Sequence, residues 1–211
     1  MSSPKENILK RLQQAQNNRG RQTVARPDFD APIYLPQDED LAANFKTNLE
    51  LVGGHVIQVK DQQEIQSTLK ELIQQEQLDN LVCLEPKLQE LLGDDFSTAD
   101  SLKELDKIGT GITSCEFLVA HLGSVMVSSA SSSGRRAHVF PETHIVIAHS
   151  KQIVNFLDEA LEQLENKYQE ALPSMITNIT GPSRTADIEK TLVMGMHGPK
   201  KLFVLLANEP F

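Results

Sequence analysis

Apolar positions along this chain alternate between helical and strand spacing. Leu41, Phe45, Leu49 and Val52 recur as one helical stripe, Gly53-Gly54 stops it, and HVIQV (55–59) follows as a strand. A second unit repeats the order. Asp61 and Glu64 have capping-box spacing, Ile65, Leu69, Leu72 and Ile73 share one face, and NLVCL (80–84) is a short apolar run. Strands separated by helices predict parallel pairing. A short helix is expected from Pro86 to Leu92, then a linker holding Asp94, Asp95 and Asp100, then strands EFLVAH (116–121) and SVMVSS (124–129) joined by a tight hairpin at Leu122-Gly123. THIVIA (143–148) reads as a strand, and the stripe Ile153, Phe156, Leu157, Ala160, Leu161, Leu164 and Tyr168 predicts a long helix over 150–172. The last segment reads as a strand (MITNI), a Gly-Pro turn, a short helix (RTADIEKTL), a glycine-rich turn (GMHGPK) and LFVLLA, which suits an inner strand of a largely parallel sheet.

Ahead of this region, Ser3-Pro4-Lys5-Glu6 has the signature of a helix start, with Ile8, Leu9, Leu12 and Ala15 as its stripe. Residues 17–37 contain three prolines and read as an extended arm. The expected division is therefore a helix and arm over 1–37 and an α/β domain over 38–211. Six bases and one acid lie between Met1 and Pro27, whereas Asp28, Asp30, Asp38, Glu39 and Asp40 follow with no base among them. That basic helix is either a solvated face or a docking surface.

Composition narrows the function classes. The 211 residues are 39% hydrophobic and 23% charged, which suits a globular domain, and a net charge of -9 argues against non-specific binding to nucleic acid or an anionic membrane. Cys83 and Cys115 lie 32 positions apart with no Cys-x-x-Cys spacing, so neither a disulfide framework nor an iron–sulfur cluster is expected on this chain. The start lacks the apolar core of a signal peptide and no run reaches the roughly 18 apolar residues of a spanning helix, so a cytoplasmic, soluble protein is expected.

Three stretches carry candidate chemistry. In Thr180-Gly181-Pro182-Ser183-Arg184-Thr185-Ala186-Asp187, a glycine turn from a strand into a helix would expose amide N–H groups to an anion. Ser183 caps that helix or donates to a ligand, Arg184 offers a planar fork, and Asp187 suits the positive helix end; local physics leaves these roles open. The loop Ala130-Ser-Ser-Ser-Gly-Arg135-Arg136 resembles an anion clamp but lacks the Gly-Lys-Ser/Thr ending of a phosphate loop. Convergence of Arg135 or Arg136 with Arg184 at one sheet edge would join the two into one site. In Gly195-Met196-His197-Gly198-Pro199, His197 is a candidate proton carrier, although a turn before the last strand explains the glycines equally. No metal site is expected: His144 and His149, five apart on a strand, face opposite ways, and no Cys or close carboxylate completes a set with His121 or His138. Glu116 and Glu142 are candidate bases without an evident partner, and Cys115 reads as a buried thiol.

The run GPSRTADIEKTLVMGMHGPKKLFVLL resembles the C-terminal signature of the LUD-domain (lactate utilisation) family, the LutC/YkgG proteins. GTGITSCEFLVA from Gly109, Gly123-Ser124 before a strand, and Arg135-Arg136 ahead of PETHIVIA follow the same family's order, so the likeness runs from about Val52 to Ala207. The resemblance implies a NagB/RpiA/CoA-transferase-like α/β fold and a bacterial role in oxidising L-lactate with iron–sulfur partner proteins. This chain would then be a subunit or accessory factor without a cluster of its own, binding a small carboxylate or phosphate metabolite through Gly123, Ser124, Gly181, Ser183, Arg184, Thr185 and Asp187. An assembly or docking factor for an iron–sulfur partner is the alternative. A stand-alone sugar-phosphate isomerase or acyl-CoA transferase is disfavoured, because relatives often carry Glu-Thr-Gly-Thr where this chain has His121-Leu122-Gly123-Ser124, and the acid is missing.

Overall fold

The computed structural model describes residues 3–18, 39–93, 96, 109–186 and 192–211. Residues 19–37 of the expected arm, the linker acids Asp94, Asp95 and Asp100, and Asp187 lie outside these residues, while Asn17 and Asn18 are helical. Two compact units are distinguished, Met1–Pro36 and Gln37–Phe211. The first holds helix α1 (Pro4–Asn18), started by a reciprocal cap in which the Ser3 amide donates to Glu6 Oε2 at 2.8 Å and the Glu6 amide to Ser3 Oγ at 3.3 Å. Its apolar residues Ile8, Leu9 and Leu12 are exposed (61%, 50% and 57%).

In the second unit, helix α2 (Leu41–Leu51) leads through Gly53-Gly54 to β1 (His55–Val59), and α3 (Gln62–Glu76) leads to the two-residue β2 (Leu81–Val82) and α4 (Pro86–Leu92). Asp40 and Asp61 cap α2 and α3 by accepting from the Ala43 and Glu64 amides. Strands β3 (Thr110–Thr113), β6 (Thr143–His149) and β11 (Lys201–Ala207) complete a five-stranded sheet of order β1-β11-β6-β3-β2, parallel at every pairing. The inner strands β6 and β11 are apolar on both faces, as burial on both sides requires. Ile145, Ile147, Phe203 and Leu205 pack with Ile65, Leu69 and Leu88 of α3 and α4. Val146, Ala148, Val204 and Leu206 pack on the other side with Phe45 and Leu49 of α2 and with Leu118, Val125 and Val127.

Those last residues belong to a second sheet. It is formed by β4 (Phe117–Val119), β5 (Ser124–Ser128), β7 (Ile153–Val154) and β8 (Ile176–Ile179), in the order β7-β4-β5-β8. Helix α5 (Leu157–Tyr168) packs Ala160 and Leu164 against Val119, Met126 and Val154. The layers are thus α3 and α4, the parallel sheet, α2 with the second sheet, and α5.

Three expectations are corrected. The helix expected over 150–172 is α5 alone. Ser150–Gln152 forms a 3-10 turn, and the β-branched pair Ile153-Val154 is drawn into strand pairing with Leu118 and Val119, so tertiary pairing overrides the helical stripe. The β4–β5 connection is a 3-10 turn over Ala120–Leu122 closed by Gly123 at φ 59°, longer than a two-residue hairpin. The helix expected after Pro182 begins instead as strand β9 (Arg184–Ala186), paired antiparallel with β10 (Leu192–Met194).

Candidate functional site

The glycine-bearing turns meet around the C-terminal end of α2, at the edge where β1 and β11 begin. Gly123 lies so close to α2 that a Cβ there would stand 2.2 Å from the Leu49 amide nitrogen, and Asn48 Nδ2 fastens the same turn by donating to Ala120 O at 2.8 Å. Ser124 Oγ and Thr180 Oγ1 are hydrogen-bonded at 2.8 Å. Gly181, at φ 84°, rests against α2's end, where a Cβ would meet Val52 O at 2.8 Å. Both glycines are needed for close backbone approach.

Ser183 is not a helix cap. Its amide donates to Pro199 O at 2.8 Å, its carbonyl accepts from Gly195 N at 2.9 Å, and its Oγ accepts from the His197 amide at 3.3 Å. These bonds knit the Gly-Pro-Ser-Arg turn to the Gly-Met-His-Gly turn and bring exposed His197 beside Ser183. The exposed Arg184 guanidinium lies over Gly53, where a Cβ would stand 2.6 Å from Nη2. It forms no hydrogen bond or ion pair among the described residues. Its charge suits the negative end of the α2 dipole. Thr185 pairs with Val193 across β9 and β10.

The second arginine loop lies elsewhere. Arg135 donates to Ser174 Oγ at 2.5 Å, and Ser174 Oγ bonds Ser129 Oγ at 3.2 Å, at the Ser128–Ile176 end of the β5–β8 ladder. Thr180 and Arg184 follow the opposite end, where Val125 pairs with Ile179. Three residue steps, roughly 10 Å of extended chain, separate the two ends, and Arg184 lies five residues further along the chain from Ile179. Arg135 and Arg184 therefore do not converge on one anion; Arg136 is exposed on the same loop as Arg135.

At the carboxyl ends of β2 and β3 the structure assembles polar groups that the linear sequence keeps apart. Glu85 is buried and accepts from the Ser114 amide (2.9 Å), the Ser114 hydroxyl and the Ser133 hydroxyl (2.6 Å). Glu116 accepts from Ser128 Oγ (2.6 Å), Tyr168 OH (2.7 Å) and Lys167 Nζ (2.7 Å). Burial raises the Glu116 carboxyl, but the three hydrogen bonds and the Lys167 charge outweigh it and hold the group below the ordinary carboxylate range. Lys167 is held above its ordinary value by the same pairing, against the opposing effect of burial. Ser114, Glu116, Ser128, Ser131, Lys167 and Tyr168 line a cleft of about 160 Å³. Of these, Glu116 is a candidate base and Ser131 part of the candidate anion loop from the sequence, but the partners of Glu116 on α5 stand 51 and 52 positions away. No signal in the sequence joins them.

Both thiols and His144 are pushed toward their neutral forms. Burial pushes the Cys83 thiol up to about 11 and the Cys115 thiol up as well, so neither is an activated nucleophile. Burial pushes His144 down to about 3; its Nε2 lies 2.8 Å from Thr113 Oγ1. Among the described residues no group of three His, Cys, Asp or Glu is placed to hold a metal ion. A larger cleft of about 370 Å³ opens at the amino-terminal ends of β3 and β6, where Lys200 pairs with Glu142 and Lys201 with Glu76. Glu142 is thus an ion-pair partner on the surface.

A parallel five-stranded sheet with helices on one face and a second sheet on the other defines a mixed α/β domain. The chain belongs to the LUD-domain family, whose model matches residues 42–207. It is 34% identical over 113 residues to lactate utilization protein C of Bacillus velezensis, covering 53% of this chain and 47% of that protein. The protein of the same name from Bacillus subtilis is 34% identical over 112 residues (52% and 47%), and the uncharacterized protein YkgG of Escherichia coli is 30% identical over 128 residues (60% and 55%). The chain thus spans about half the length of the curated relatives it matches. A crystal structure of a DUF162 family protein from Deinococcus radiodurans superposes with a TM-score of 0.62 at 18% identity, over 82% of this chain and all of that one, which establishes the shared fold.

Proposed function

We propose that this protein acts in lactate utilisation, as a cytoplasmic subunit or accessory factor of an iron–sulfur L-lactate oxidation system. The observation that carries the reading is the LUD domain over 42–207, together with relatives named lactate utilization protein C. Two cysteines, one of them buried, give this chain no ligand set for a cluster, so partner proteins would hold the electron carriers. Within the domain, Arg184 would take a small carboxylate or phosphate in its planar fork, with the Ser183 hydroxyl beside it and His197 available as a proton carrier. The exposed guanidinium, which has no hydrogen bond or ion pair among the described residues, is what supports this role. Titrating pyruvate, L-lactate and inorganic phosphate into the native protein and into Arg184→Ala tests it: the variant should bind the preferred anion at least about tenfold more weakly, and equal affinities for all three would remove Arg184 from the site.

A docking role for the N-terminal helix is favoured by a separate observation. Ile8, Leu9 and Leu12 form an exposed apolar stripe on a helix that also carries Lys5, Lys10 and Arg11. Deleting residues 1–36 should weaken co-purification with an iron–sulfur partner while leaving anion binding intact; unchanged co-purification would assign the stripe no docking role.

A further inference from the structure

We propose that the cleft between the end of β3 and α5 is a second ligand site, distinct from the Arg184 turn, and that it takes a small 2-hydroxycarboxylate. An ionised carboxylate offers about four acceptor positions. Glu116 uses three, two on Oε1 for Ser128 and Tyr168 and one on Oε2 for Lys167, which leaves one on Oε2. An ammonium has three donors, and Lys167 directs one to Glu116. Two remain. The Ser131 hydroxyl has no partner among the described residues and lines the same cleft.

The cleft therefore presents an excess of donors beside a single carboxylate acceptor. An anionic group accepts from Lys167 and Ser131, while a neighbouring hydroxyl donates to Glu116 Oε2. Depth orders the two ends. The Glu116 side chain is 8% exposed and forms the floor, whereas that of Lys167 is 55% exposed and stands at the mouth, 5.1 Å from the Tyr168 ring centre. A ligand carboxylate would sit outermost and its hydroxyl inward. At about 160 Å³ the space is well below the roughly 300–1,000 Å³ of sites for drug-sized ligands, which limits the occupant to a small metabolite. The position agrees with the general placement of ligands at the carboxyl ends of parallel strands.

The inference rests on the lactate-utilisation reading only in the choice of L-lactate as probe. Calorimetric titration of the full chain with L-lactate, propionate and glycerol tests it. Propionate lacks the hydroxyl and glycerol the carboxylate, so each should bind about tenfold or more weakly than L-lactate. Lys167→Met and Glu116→Gln should each lower L-lactate affinity by a similar factor, whereas Arg184→Ala should leave this binding event in place. Ser131→Ala provides a milder loss should Glu116→Gln fail to fold, as judged by its melting curve. Equal affinity for L-lactate and propionate, no binding of either, or native affinity in Lys167→Met would overturn the site. If L-lactate binding vanishes in Arg184→Ala but survives in Lys167→Met, this cleft is excluded and the Arg184 turn stands. A native protein that supports growth on lactate yet binds none of the probes would exclude the cleft and leave the lactate role intact.

Discussion

Gly123 joins the candidate site to the core, because its missing Cβ lets the β4–β5 turn touch the α2 backbone. Gly123→Ala would place a methyl group against the Leu49 amide and force a side chain into φ 59°. A loss of roughly 2–4 kcal/mol is expected in urea unfolding. His144 ties stability to pH. Its ordinary value of 6.5 falls to about 3 in the fold, so between these values the unfolded chain binds more protons. Stability from this group is complete above 6.5 and is lost as pH falls toward 3, by about 3 kcal/mol between pH 6.5 and pH 4. Glu116, also held low, adds a loss that begins below its ordinary 4.5. Unfolding free energies measured from pH 7 down to pH 4 should show a slope that His144→Gln flattens; an unchanged slope would exclude His144 as its source. Glycines at tight turns were legible residue by residue, whereas Cys115, read as a buried thiol, is only half-buried. The partners of Glu116 were not legible, because only folding brings Lys167 and Tyr168 of α5 to the end of β3.

Elements were legible where periodicity and burial agree. The apolar run THIVIA read as a strand and LFVLLA as an inner strand of a parallel sheet, and the aspartate caps marked α2 and α3. Thr110–Thr113 gave no warning of β3, since a strand buried on both faces can carry Gly and Thr where neither alternation nor an apolar run is visible. The Ser-x-x-x-Asp spacing after Pro182 imitates a helix start, yet Ser183 spends its backbone groups on Pro199 and Gly195. That pairing has a spectroscopic consequence: Cα and Cβ chemical shifts at Arg184, Thr185 and Ala186 should be those of extended chain, and helical shifts there would contradict the β9–β10 hairpin. Ser183→Ala should accordingly cost under about 1 kcal/mol, the contribution of one exposed hydroxyl contact rather than a helix cap.

At the scale of the molecule, the two arginine-bearing turns are held apart by the length of β5 and β8. The fold sets one polar cluster where β1 and β11 begin and another where β2 and β3 end. The layered α/β architecture was readable from alternating rhythms and from the family signature, but this separation was not. Strand direction within the second sheet depends on long-range pairing that no local spacing encodes. Among the described residues, the three buried apolar clusters all lie in the Gln37–Phe211 unit, so removing residues 1–36 should leave its thermal unfolding midpoint within about 2 °C of the full chain. A fall of 10 °C would mean the first unit stabilises the second.

Growth on L-lactate reads the proposed role in lactate utilisation most directly. A strain lacking this gene, and any second copy of it, should grow normally on glucose and fail on L-lactate as sole carbon source, with growth restored by the native chain. Undiminished growth of the deletion strain on L-lactate would contradict the account.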